Sequence, residues 1–144
     1  MKKTTPPTQR RRKMDIQALQ KSGYLLDTQD DGTLVCKLVG PKDTPYEGQV
    51  FSVLISLPIG YPFKSPSVGF VENIFHPNVD YQSGSICLNV LNQEWTPVYN
   101  LTSIIETLLP QLLTYPNPED PLNDEAAQLL KDDIEAFKAR CKLG

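Results

Sequence analysis

The spacing between apolar residues changes along this chain, and that change limits its fold more than any other feature. Phe51, Val53, Ile55 and Leu57 alternate with Ser52, Leu54 and Ser56 at period two, the pattern of a strand with one face on a core. Residues 24–28 and 33–39 flank Asp30-Asp31-Gly32, a hairpin turn signal between two further strands. A fourth strand, 67–71, follows the proline-rich turn Tyr61-Pro62-Phe63-Lys64-Ser65-Pro66. From Leu101 the interval lengthens: Leu101, Ile104, Ile105, Leu108, Leu109 and Leu112 fall on one helix face behind an Asn100 cap,. Pro110 predicts a kink or an early end there. Ala127, Leu130, Ile134, Phe137 and Cys141 give a second helical stripe. Ahead of the strands a helix starts between Thr8 and Arg12, turns Met14, Ile16 and Leu19 inward, and stops at Gly23,. The order predicts an α+β fold: an N-terminal helix, a four-stranded antiparallel meander, and C-terminal helices.

Between strands and helices, residues 74–100 keep no period but are rich in His, Pro, Asn, Gly, Cys and Trp. A connection that long inside a compact domain is usually functional, and Phe75, Val79, Ile86, Leu88, Val90, Leu91 and Trp95 are too apolar for a disordered tract,. At 144 residues the chain supports one domain with a sizeable core,: residues 1–9 as a disordered arm and 10–144 as the folded unit. No apolar run is long enough to span a membrane. Arg10, Arg11, Arg12 and Lys13 form a basic block near the start, while residues 119–135 are acidic and the net charge is -3. The block suits an acidic partner, and a sequence pI near 5.1 argues against nucleic acid.

Three cysteines and one histidine, with no Cys-x-x-Cys pair, leave no zinc-type ligand set,. No apolar stretch follows the N-terminal charges, so a reducing interior, cytoplasmic or nuclear, is expected. Cys36 falls in a strand and Cys141 on an apolar helical stripe, whereas Cys87 sits within Ser85-Ile86-Cys87-Leu88-Asn89 in the irregular segment. A thiol there, with Asn78 to stabilise an oxyanion, is a candidate nucleophile. A buried inert cysteine fits the residues as well, and so does a Cys-His hydrolase with His76 as base, although Pro77 after it suggests a structural His-Pro turn.

Gly40-Pro41, Thr44-Pro45-Tyr46-Glu47-Gly48, Tyr61-Pro62-Phe63-Lys64-x-Pro66, His76-Pro77-Asn78, Ile86-Cys87-Leu88, Trp95-x-Pro97, Pro116-Asn117-Pro118 and Pro121-Leu122-Asn123 occur in that order. Together they resemble the catalytic domain of ubiquitin-conjugating enzymes, over about residues 10 to 142. The resemblance implies that fold, with a long active-site loop, and makes Cys87 the residue that takes ubiquitin as a thioester and passes it to substrate lysines with a ligase. Asn78 matches the family asparagine credited with oxyanion stabilisation or loop ordering. His76 and Pro77 match a structural pair. Asp120 matches the acidic residue thought to position or desolvate the incoming lysine, helix capping being its other reading. Asn89 stands where most relatives have Asp, so an acidic contribution is absent at that position.

The resemblance further implies a set of partners. Arg10, Arg11, Arg12 and Lys13 would meet the activating enzyme. Phe63, Thr96 and Pro97 would meet RING-type ligases. No metal or organic cofactor is implied, since ATP is used by the activating enzyme. Residues 62–70, 92–96 and 109–118 look most like the H-type subgroup, associated with GID or CTLH ligases and with histones. Alternatives are a conjugating enzyme for a neddylation- or SUMO-type modifier, or an inactive variant that only binds ubiquitin or a ligase.

Overall fold

A computed structural model describes residues 6–86 and 93–143. Helix α1 (Pro7–Ser22) leads into strands β1 (Leu25–Thr28), β2 (Leu34–Val39), β3 (Val50–Ser56) and β4 (Ser67–Phe70), which pair antiparallel in the order β1-β2-β3-β4. The alternation sets the faces: Leu34, Cys36, Leu38, Phe51, Val53, Ile55, Val68 and Phe70 are buried, while Val39, Val50 and Lys37 point outward. Opposite residues such as Cys36 and Val53 or Ile55 and Val68 therefore stack on one side of the sheet,.

Helix α1 begins at Pro7, just before the expected window, because Pro at the first helical position gives up no intrahelical bond,. Gly23 ends it with φ 85°, its N–H on the Gln20 carbonyl. The inner face differs from expectation. Leu19 is buried and Ile16 partly so, but Met14 is 64% exposed and Asp15 is buried in its stead. Asp15 tolerates this because Arg11 Nε lies 2.7 Å from Oδ2 and the Tyr61 hydroxyl donates to the same oxygen,.

The third amphipathic stretch is one helix, α2, in three parts: Leu101–Ser103, Ile104–Leu108 and Leu109–Thr114. Asn100 caps it as expected, Oδ1 accepting from Ser103 N–H at 2.9 Å while Ser103 Oγ accepts from Asn100 N–H at 3.2 Å,. Pro110 does not end α2, which runs on to Thr114. Its ring cannot sit against a carbonyl one standard turn back, and the preceding turn is widened, with Leu109 N–H bonded five residues back to Ile104 O,.

The final stripe is two helices, α3 (Asp124–Asp132) and α4 (Ile134–Leu143). Asp133 (φ -153°, ψ 88°) breaks it and then caps α4 by accepting from Ala136 N–H at 3.1 Å,. Ala127, Phe137 and Cys141 are buried, but Ile134 at the break is exposed. Among the described residues no helix is long and apolar enough to cross a membrane.

Candidate functional site

Beyond β4 the chain enters the aperiodic segment, and its part ahead of Cys87, residues 74–86, is ordered by short bridges instead of a strand. Gly69 pairs with Ser85 and Val79 with Ile86. Gly84 reverses the chain at φ 76°, and its carbonyl accepts from Phe70 N–H at 2.8 Å. The bridge carries the chain from Asn78 to the edge of Cys87. Cys87 and Asn89 lie outside the described residues.

The run His76-Pro77-Asn78 is buried and grips the second half of the chain at successive points. His76 Nδ1 accepts from Asn78 N–H at 3.0 Å, which leaves Nε2 to donate to the Leu112 carbonyl of α2 at 2.9 Å,. Burial pulls the His76 pKa down to about 4, against a weaker upward pull from the Leu112 carbonyl,. The ring is neutral at physiological pH with both nitrogens engaged, so it has no lone pair to offer a thiol. Pro77 O accepts from Leu122 N–H at 2.9 Å and Asn123 N–H at 3.0 Å. Asn78 Nδ2 donates to Asn117 O at 2.7 Å and Oδ1 accepts from Asn117 N–H at 2.8 Å, a two-bond clasp on the Pro116-Asn117-Pro118 turn.

Asn117 in turn accepts at Oδ1 from Glu119 N–H at 3.0 Å. One residue further on, Asp120 is exposed and held at φ 50°, a conformation Asp tolerates better than most. Helix capping is not its role: α3 is capped by Asn123, whose Oδ1 accepts from Ala126 N–H at 3.0 Å. The motif Pro116-Asn117-Pro118 is visible in the sequence, but nothing there assigns Asn117 a role as the partner of Asn78.

The remaining cysteines belong to the core. Cys36 is fully buried in β2, and burial pushes its thiol up to about 11. Cys141, on α4, is buried, its thiol raised chiefly by desolvation and bonded to the Phe75 carbonyl at 3.4 Å. Neither is available as a thiolate.

At one end of the molecule two loops expose apolar side chains. Phe63 is 74% exposed, and Thr96 and Pro97 are exposed too. Trp95 is buried and ties the loops together, Nε1 donating to Pro62 O at 2.8 Å. Ile59 (98% exposed) and Val98 (91%) extend this apolar surface. They escaped the sequence reading, although Pro58-Ile59-Gly60 and Pro97-Val98 each set an apolar residue beside a turn former.

The basic block divides. Arg10 and Lys13 are exposed. Arg11 turns into the fold, donating through Nη1 to Pro97 O at 2.9 Å and through Nη2 to Tyr99 O. Arg12 donates to Pro58 O at 2.8 Å and Leu57 O at 3.3 Å. A run of like charges looks uniform in sequence, but successive helical residues face different directions, and two of the four meet loop carbonyls.

A model of the family described as ubiquitin-conjugating enzyme matches residues 8–143. The chain belongs to the ubiquitin-conjugating enzyme family. It is 50% identical over 135 residues to the Arabidopsis thaliana ubiquitin-conjugating enzyme E2 5, covering 92% of this chain and 73% of that one. To the Saccharomyces cerevisiae ubiquitin-conjugating enzyme E2-24 kDa it is 46% identical over 137 residues, covering 94% and 63%. Among solved structures, the conjugating domain of a Toxoplasma gondii enzyme superposes with a TM-score of 0.80 at 31% identity, covering 94% of each chain. This conjugating enzyme is accordingly a transferase acting through a cysteine thioester, and its family implies ubiquitin, an activating enzyme and a ligase as partners.

Proposed function

We propose that this conjugating enzyme carries ubiquitin on Cys87. The observation that supports the reading is the burial of its other two cysteines: a thioester transferase needs an accessible thiol, and Cys36 and Cys141 are sealed in the core. Asn78 serves chiefly by ordering the turn at Asn117, since its side-chain oxygen and one N–H are engaged there. The clasp holds Asp120 on the far side of Pro118, where its carboxylate meets the incoming lysine. His76 and Pro77 act as structural anchors and not as proton carriers. A carrier thioester has to outlast its time in water, and a free base beside it would shorten that time.

Arg10 and Lys13 form the part of the basic arm that meets the activating enzyme. Phe63, Thr96 and Pro97, extended by Ile59 and Val98, receive a RING-type ligase. The H-type motifs favour a GID or CTLH ligase and histone substrates. The reaction uses no metal or organic cofactor in this chain, and it takes place in the cytoplasm or nucleus.

Charging with activating enzyme, ATP and ubiquitin is expected to give a band one ubiquitin heavier that reductant removes. Cys87→Ser is expected to give an oxyester that survives reductant, while Cys36→Ala and Cys141→Ala charge normally. A folded Cys36→Ala or Cys141→Ala protein that fails to charge would overturn the assignment. Charging by a SUMO- or neddylation-type modifier in place of ubiquitin would replace the modifier but leave Cys87 as carrier.

A further inference from the structure

One guanidinium joins the three segments at the ligase-facing end. Arg11, on α1, bonds Asp15 on its own helix at 2.7 Å, Pro97 O at 2.9 Å and Tyr99 O, and lies 5.8 Å from the centre of the Tyr61 ring. Tyr61 donates its hydroxyl to the same Asp15 oxygen and packs on Trp95 with ring centres 5.8 Å apart. Trp95 bonds Pro62 O and packs on Tyr99 at 6.0 Å. A closed circuit thus runs from α1 through Tyr61 to the Phe63 loop, across Trp95 to the Thr96-Pro97 loop, and back to Arg11.

The circuit depends on the shape of arginine. Nε, Nη1 and Nη2 diverge in one plane and reach a carboxylate and two carbonyls at once, whereas a lysine ammonium at the end of a flexible stem is a single point. Pro97 and Tyr99 bracket Val98, so the two carbonyl bonds fix the curve that turns Val98 and Pro97 outward.

We propose that Arg11 is a positioning residue for ligase docking, setting the relative placement of the 95–99 loop and the Phe63 loop without itself touching the ligase. The proposal rests on the reading that Phe63, Thr96 and Pro97 form the ligase surface. It predicts that loss of the fork weakens ligase engagement and leaves the chemistry at the thioester alone.

The test uses full-length enzyme already charged with ubiquitin, so the activating enzyme takes no part. Discharge to free lysine is followed with and without an isolated RING domain, the one of a RING panel that most accelerates wild-type discharge. Arg11→Lys is expected to raise the KM for the RING domain about tenfold, with RING-free discharge and the saturated rate within about twofold of wild type. Phe63→Ala is expected to raise the same KM, and Arg11→Lys combined with Phe63→Ala to be less than additive, because the two act through one surface. Should Arg11→Lys unfold, Tyr61→Phe opens the circuit at its hydroxyl and carries the same expectation at smaller amplitude.

An unchanged KM in Arg11→Lys beside a raised KM in Phe63→Ala would overturn the positioning role alone. Strictly additive effects would make Arg11 a direct and independent contact, which also overturns it. Equal losses with and without RING would reduce the circuit to general stability. An unchanged KM in Phe63→Ala would sink the ligase surface and this proposal with it.

Discussion

The site's residues separate by what their polar atoms already hold. His76 is neutral because it is buried and doubly bonded, and its depressed pKa makes it a source of pH dependence. Between its ordinary value near 6.5 and about 4, the unfolded chain binds a proton that the native ring refuses. Stability is therefore full above pH 6.5 and falls as pH drops through that window, by about 3 kcal/mol once below it. His76→Gln keeps a donor for Leu112 O but does not titrate, so its urea midpoint should lack this part of the acid slope. A variant whose midpoint falls with pH as steeply as wild type would show that His76 is protonated in the native state. For Asn78 the two bonds to Asn117 make a different forecast. Asn78→Ala strands a backbone N–H and C=O, at a cost of about 1–3 kcal/mol, and should slow discharge to lysine while charging persists. Unchanged stability with slow discharge would instead point to oxyanion stabilisation as the whole of its role.

At the scale of elements, the turn at Gly84 decides whether the approach to Cys87 keeps its course. A Cβ built on Gly84 would lie 1.9 Å from Phe70 O, at a φ of 76°, so both the close approach to β4 and the left-handed backbone exclude a side chain. Gly84→Ala should lose at least about 2 kcal/mol in chemical unfolding and slow charging as the 79–86 bridge shifts; a loss under about 0.5 kcal/mol would mean that the loop relaxes freely. What was legible in the sequence follows from the same distinction between pattern and contact. Period two and period 3.6 report which face meets the core: they placed β3 and the stripe of α2, and turn residues bounded the other three strands, all within a residue or two. Contacts between distant polar groups leave no period. Asp15 reads as an outward helical residue until Arg11 and Tyr61 are seen to meet it, and Arg11 reads as part of a solvated arm until Pro97 and Tyr99 present their carbonyls. The stripe over 127–141 reads as one helix in sequence, and only the folded chain shows Asp133 breaking it and leaving Ile134 exposed. The motif residues were visible as types, but that Asn78 holds Asn117, and that Asn123 and not Asp120 caps α3, depended on pairings only the folded chain brings together.

For the molecule as a whole, charge is unevenly placed: Arg10 and Lys13 are exposed at the start of α1, while Glu119, Asp120, Asp124, Glu125, Asp132 and Asp133 are exposed over residues 119–133 with only Lys131 of opposite sign among them, on a chain of net charge -3. Such a distribution orients the molecule in the field of a charged partner before any contact forms, and its effect falls on association rate more than on the bound state. Arg11 is paired with Asp15 and both Arg11 and Arg12 turn toward loop carbonyls, so Arg10 and Lys13 are the arm's fully exposed cations, while Arg12 keeps its charge and adds to the field. The paired reversal Arg10→Glu with Lys13→Glu should lower kcat/KM for charging about tenfold at low salt and leave the saturated rate unchanged. Between about 0.01 M and about 0.15 M ionic strength the Debye length shrinks from about 30 Å to about 8 Å, so the difference from wild type should narrow steadily across that range. Neutral replacements should show about half the effect at low salt, because they remove the attraction without adding a repulsion. A deficit that is independent of salt, or that appears in the saturated rate, would mean that the two side chains form close contacts at the thioester-transfer stage and that the long-range field is not what they supply.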